Sequence, residues 1–179
     1  MPEKLNDVVE KAIKPALAML PARMRSRESV VMLLAIGLQE SLFMYRRQMG
    51  NGPARGWWQF EKMGGVAGVM QHRSSRDLAQ DICVARGVAR LRSEVFINTV
   101  YQKLESDDVL AAAFARLLLW TDPKPLPALN DIDNAWQLYL RTWRPGAYTR
   151  GAGEQKAELR KKWGQSYAQA MQEISKCSA

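Results

Sequence analysis

Apolar residues recur along most of this chain at the three- and four-residue intervals of an α-helix. Leu5, Val8, Val9, Ala12 and Ile13 share one helical face, and Pro15 and Pro21 are expected to break or bend that segment. Ser26 can cap a second helix, which carries Val30, Leu33, Leu34, Ile36 and Gly37 and runs to about Ser41. Ser75 can cap a helix through Ala79, Ile82, Cys83 and Arg86, and another runs from Ser93 to about Leu104. Asp107 or Asp108 opens the segment Val109 to Trp120, whose only charge is Arg116. A helix apolar on every side is a buried central helix. Pro123, Pro125 and Pro127 end it in a loop. Trp136, Tyr139, Leu140 and Trp143 follow at i, i+3, i+4, i+7 spacing. The last helix places Leu159, Trp163, Tyr167, Ala170 and Ile174 on one face and turns Arg160 and Lys161 away.

One segment departs from this pattern. Between Met49 and Gly65 stand Gly50, Gly52, Pro53, Gly56, Gly64 and Gly65, with Trp57, Trp58 and Phe60 among them. Glycine and proline at this density mean turns, and a small hairpin is expected here. The fold class is therefore mainly α, of the α+β kind: a single domain over residues 1–179, built around a buried central helix, with a small β-hairpin or loop lobe. A chain of 179 residues is long enough to bury one substantial core.

Charge and cysteine content narrow the class without choosing a function. The 26 Lys and Arg outnumber the 18 Asp and Glu, for a net charge of +8. Such a chain is drawn to polyanions, nucleic acid or an anionic cell wall among them. No apolar run reaches the roughly 20 residues of a membrane span. Glu3, Asp7 and Glu10 interrupt the N-terminal apolar residues, which is not the pattern of a secretory signal. Cys83 and Cys177 form no disulfide framework and are expected to be free thiols. His72 is the only histidine, so neither a metal site nor a cofactor is expected.

The chemistry concentrates in Leu34 to Phe60, LAIGLQESLFMYRRQMGNGPARGWWQF. Glu40 ends a hydrophobic helix, with Leu33, Ile36 and Gly37 on its own face. A carboxyl group on an apolar flank is desolvated, which raises its pKa and retains a proton near neutral pH. A general acid for glycosidic cleavage needs that property. The plainer alternative is a solvated helix-end glutamate, or one paired with Arg46 or Arg47. The loop that follows favours the acid. Trp57, Trp58 and Phe60 offer faces on which sugars stack, Gln59 offers an amide, and glycines admit a close approach of the backbone. By strand alternation Trp57 and Trp58 point to opposite faces, one to the core and one to the groove.

The order helix, Glu40-Ser41-x-Phe43, loop, Gly56-x-x-Gln59 resembles the catalytic core of the lysozyme-like superfamily. It is closest to soluble lytic transglycosylases and goose-type lysozymes, and the chain reads like a phage-encoded muralytic protein. The motif covers about 25 residues. The resemblance implies that Glu40 is the general acid, and then the base, in cleavage of the β-1,4 bond between N-acetylmuramic acid and N-acetylglucosamine. It implies that Ser41 orients a catalytic or substrate group, and that Trp57, Trp58, Gln59 and Phe60 bind sugar. The transglycosylases carry a later Ala-x-Tyr-Asn-Ala-Gly-like segment. The nearest stretch here, Ala112-Ala113-Phe114-Ala115, lacks Tyr-Asn. Trp143 to Gly146 with Tyr148 can supply the missing wall, or can be a plain helix stop at Pro145-Gly146.

A second carboxylate decides the outcome of cleavage. An inverting hydrolase needs one roughly 6.5–9.5 Å away and a retaining one about 5–5.5 Å away. Glu61 is the best local candidate, while Asp77 and Asp81 fit the polar face of a helix. Without a partner, the substrate's own acetamido group can assist and an anhydro product forms instead of hydrolysis, the transglycosylase outcome. Absence of the later motif favours a lysozyme-type muramidase. Two other functions compete: a virion structural protein that keeps the fold without activity, and a nucleic-acid-binding module. The second is suggested by Arg23, Arg25, Arg27, Arg46, Arg47, Arg86, Arg90 and Arg92, which are dispersed and carry no recognition signature. The expected partners are peptidoglycan glycan strands and other virion proteins, with no specific nucleic acid. The expected route is synthesis in a host cytoplasm followed by action on the cell wall.

Overall fold

The computed structural model describes residues 2–89 and 93–176. Helix α1, Leu5–Val8, passes through a π turn, Val9–Ile13, into α2, Lys14–Ala18. Pro15 was expected to break or bend this segment, yet helical geometry continues through it. The wider π turn just before it accommodates a residue that donates no N–H and crowds the carbonyl one turn back. The segment ends ahead of Pro21.

Helix α3, Arg27–Ser41, starts at Ser26 as its capping chemistry predicts. Ser26 Oγ accepts from Ser29 N at 3.2 Å, and Ser29 Oγ accepts from Ser26 N at 3.1 Å. Helix α4, Ala67–Gln71, follows the glycine-rich segment and leads to α5, Arg76–Ala85. Ser75 holds the position before α5, but its hydroxyl donates to Val69 O at 2.7 Å. Helix α6, Ser93–Lys103, precedes α7, Asp108–Trp120, whose cap is Asp107 accepting from Leu110 N at 3.0 Å. Helices α8, Ile132–Trp143, α9, Gly146–Arg150, and α10, Gly153–Lys176, complete the chain.

Helix α7 is the buried axis that its composition predicts. Every residue from Leu110 to Leu119 is buried, and α2, α3, α4, α5 and α8 all pack against it. Arg116 is carried inside with them. Its Nε donates to Met24 O at 2.9 Å, its guanidinium lies 5.3 Å from the Trp120 ring centroid, and burial pushes its pKa down to about 10. The buried apolar residues from Val8 to Ile174 form one contiguous cluster. No described helix is long and apolar enough to cross a membrane.

The expected hairpin does not form among the described residues. Two isolated antiparallel bridges, Arg47 with Arg55 and Arg55 with Phe60, replace it. Arg55 and Phe60 exchange N–H···O bonds of 2.9 and 2.8 Å around Gly56 to Gln59. Gly56 (φ 72°) and Gln59 (φ 49°) are left-handed, so the chain curls at both ends of this loop instead of extending into strands. Ion pairs then fix the lobe to the body: Arg46 to Asp108 at the start of α7, and Arg47 and Arg55 to Glu105.

Cys83 is buried and free, and burial pushes its thiol up to about 12. Cys177, Arg90 and Arg92 lie outside the described residues.

Candidate active site

Glu40 stands in the last turn of α3, at a cleft of about 530 Å³. The helix stops there because Leu42 (φ 55°) and Phe43 (φ 52°) both adopt the left-handed conformation. Two consecutive non-glycine residues in that region are strained, and strain held by surrounding packing is concentrated at functional sites. Gln59 and Arg144 (φ 48°) share this conformation and, with Leu42, line the cleft.

Ser41 and Phe43 explain how the turn is held. The Ser41 hydroxyl donates to Trp57 O at 2.7 Å and accepts from Phe43 N at 3.1 Å. It thereby ties the end of α3 to the aromatic loop, and its polar capacity goes to the main chain. Phe43 folds back over Gly37, where a Cβ would come within 2.2 Å of Phe43 Cζ. Only glycine at residue 37 leaves room for that ring.

The carboxyl of Glu40 is half-buried, and three other elements face it. Tyr139 of α8 donates its hydroxyl to Glu40 Oε1 at 2.6 Å. Lys162 of α10 lines the same cleft and donates from Nζ to Gln39 O. Glu61, exposed, lines the wall beyond the aromatic loop. Burial is the strongest influence and raises the Glu40 pKa from 4.5 to about 7. The Tyr139 hydrogen bond and then the Lys162 charge oppose it, while the Glu61 charge adds to it. Arg46 and Arg47, the alternative partners for Glu40, are engaged with Asp108 and Glu105. Among the described residues, Glu40 and Glu61 are the acidic side chains of this lining.

The aromatic residues are arranged differently from the sequence expectation. Trp57 is 5% exposed, Trp58 is fully buried, and their ring centroids are 6.3 Å apart. Neither lines the cleft. Strand alternation does not operate in a tight turn, so both rings enter the core. Trp58 Nε1 donates to Leu33 O at 2.8 Å, and the Arg46 guanidinium covers Trp57 at 4.2 Å. Phe60 is also almost wholly buried, edge-on to Phe114 at 6.4 Å, and reaches the cleft as part of its floor. Gln59 lines the cleft, with Nε2 donating to Gly56 O at 2.9 Å and Tyr45 O at 3.3 Å. Tyr148 is packed edge-on against Trp136 at 5.4 Å and is not part of the lining.

Tyr139 and Lys162 carry much of the site's electrostatics, and sequence reading passed over both. Tyr139 belongs to the apolar stripe of α8, where it reads as core. Its ring is indeed core, stacked on Trp163 at 5.0 Å with an 18° interplanar angle, and only the hydroxyl emerges. Lys162 follows Leu159 by three residues and precedes Trp163, and a lysine bordering an apolar stripe was the available signal. Searches against protein families, characterised proteins and solved structures find no match to this chain.

Proposed function

We propose that this protein is a peptidoglycan glycosidase of the lysozyme-like kind, cutting the β-1,4 bond between N-acetylmuramic acid and N-acetylglucosamine. The observation that carries the reading is a single carboxyl group, Glu40, held at the edge of proton loss at neutral pH in a cleft wide enough for sugar rings. The helical body around α7 and the loop lobe beside the cleft are compatible with that fold.

Tyr139 donates to Oε1, so in the acid form the proton resides on Oε2. That proton passes to the glycosidic oxygen as the bond from the anomeric carbon to it breaks. The positive charge left on the ring is quenched by a water activated at a second carboxylate, for which Glu61 is the candidate, or by the substrate's own acetamido oxygen, which the C6 hydroxyl of the same sugar then displaces from the anomeric carbon as its proton passes to the Glu40 carboxylate. The first outcome is hydrolysis and the second leaves a 1,6-anhydro ring. With Trp57 and Trp58 buried, sugar stacking falls to the cleft aromatics Tyr45, 41% exposed, and Trp143.

Clearing of isolated peptidoglycan tests the reading. Wild type is expected to clear it and Glu40→Gln to lose on the order of 10²–10⁴-fold in rate. Equal rates for the two proteins overturn it. Reducing-end chemistry and mass analysis of the products then separate hydrolysis from ring closure, and loss of only the hydrolytic product in Glu61→Gln assigns Glu61 as the base.

A further inference from the structure

We propose that Lys162 is a positioning residue that keeps the charged form of Glu40 accessible, so that one carboxyl can serve as acid and then as base. The proposal rests on the glycosidase reading for its consequence in turnover, but not for its physical content. Its basis is geometric. Lys162 reaches from α10 to the last turn of α3, where its ammonium is hydrogen-bonded to the carbonyl of Gln39, the residue before Glu40. A second strut joins the same two helices in the opposite sense, from Gln39 Nε2 to Leu159 O at 3.2 Å. The lysine is thus fixed by main chain at one side of the cleft, bonded to the residue next to Glu40 and lining the cleft that the Glu40 carboxyl shares.

A desolvated carboxyl needs such a neighbour. Burial alone drives Glu40 toward a permanently protonated state, reluctant to give up its proton and so rarely present as the carboxylate that the base step needs. The charged and titratable groups around it act in opposed directions. Tyr139 from α8 and Lys162 from α10 favour the carboxylate, while Glu61 favours the acid. Arg144, at the end of α8, lines the cleft as a further cation. The reciprocal effect falls on Lys162, whose own pKa is lowered, chiefly by burial and against the pull of Glu40. Exchanging Lys162 for a neutral residue of similar reach leaves the packing of the stem and removes the charge.

Carbon-13 NMR titration of the Glu40 carboxyl, assigned by its loss in Glu40→Gln, tests this without substrate. Lys162→Met is expected to move the midpoint up by about 0.5–1 pH unit, a part of what a close opposite charge contributes. Lys162→Arg is expected to leave it near the wild-type value, and Glu61→Gln to move it down. Amide spectra of each variant confirm that the fold is kept. An unmoved midpoint in Lys162→Met overturns the proposal. So does an equal rise in Lys162→Arg, which assigns the effect to packing rather than charge. If wild type fails to cleave peptidoglycan while these midpoints move as stated, the glycosidase reading fails and the role of Lys162 on Glu40 stands.

Discussion

The Tyr139 hydroxyl donates to Glu40 Oε1 at 2.6 Å, joining two residues 99 positions apart. The contact is rigid from the tyrosine side, because that ring is stacked between Trp163 and Trp143, with centroids at 5.0 and 6.4 Å. The aromatic core of α8 and α10 therefore sets the direction in which the carboxyl points. It also lowers the free energy of the carboxylate, since a hydrogen bond to a charged acceptor is stronger than one to a neutral acid.

Tyr139→Phe separates these roles from mere packing. It removes one oxygen and keeps the stack, so stability should fall by only about 1 kcal/mol. The Glu40 midpoint should rise above its value of about 7, because the hydrogen bond that lowers it is gone. Turnover should drop on the order of 10–100-fold as the carboxyl loses its orientation, with KM little changed. Initial clearing rates over a pH series check both effects. An unchanged pH profile with normal turnover removes Tyr139 from the site.

Glu40 also predicts a pH-dependent cost in stability. Its folded pKa of about 7 lies above the ordinary 4.5, so between these values the folded chain holds more protons than the unfolded one. Stability contributed by the protonated group is complete below about pH 4.5 and is lost as pH rises through 7. After a discount for partial exposure, the loss is on the order of 2–3 kcal/mol at pH 8. Glu40→Gln should therefore be more stable than wild type at pH 8 by that amount and nearly equal to it at pH 4. Urea denaturation at the two pH values measures the difference. The same proton predicts that peptidoglycan clearing declines above pH 7.

The sequence signals that proved legible are those in which a single residue's chemistry decides the local outcome. Ser26 and Asp107 cap α3 and α7 because their side-chain oxygens reach orphan backbone donors. The run before Trp120, apolar but for Arg116, has no polar face to present to water. Glu40 was visible because its helix is apolar where it emerges. The lobe was not legible in the same way. Glycine and proline density marks where the chain turns, but it does not say whether extended strands flank the turn. Here Gln59 takes a left-handed conformation that no sequence rule assigns to it, and within the tight turn from Gly56 to Gln59 both tryptophans are buried. Tyr139 was hidden for another reason: periodicity identifies the face a residue occupies, not where the tip of a long side chain ends.

Gly37 predicts a stability defect that is specific to the turn after α3. In Gly37→Ala the new methyl would stand 2.2 Å from Phe43 Cζ, so the ring must shift in a full core. A loss of about 1–3 kcal/mol is expected, against the small gain that alanine ordinarily brings to a helix interior. Combining it with Phe43→Leu should restore part of the loss, because the smaller side chain leaves space for the methyl. A double-mutant cycle in denaturant reads this coupling, and strict additivity would show that the two residues do not share one contact.

Trp58 and Tyr45 should respond to substitution in opposite ways, although a sequence reading assigns sugar binding to the tryptophan. Trp58 is fully buried and its indole N–H is bonded to Leu33 O, so Trp58→Phe leaves a cavity and removes that buried hydrogen bond. It should cost about 2–4 kcal/mol of stability, with KM unchanged in the fraction that remains folded. Tyr45 is 41% exposed on the cleft, so Tyr45→Ala should leave the melting temperature almost where it is. If its ring forms part of the sugar platform, KM for glycan strands rises several-fold while turnover at saturation is retained. Thermal melts and steady-state kinetics on the two variants discriminate the assignments. A stable Trp58→Phe with raised KM would return the tryptophan to the groove and remove Tyr45 from it.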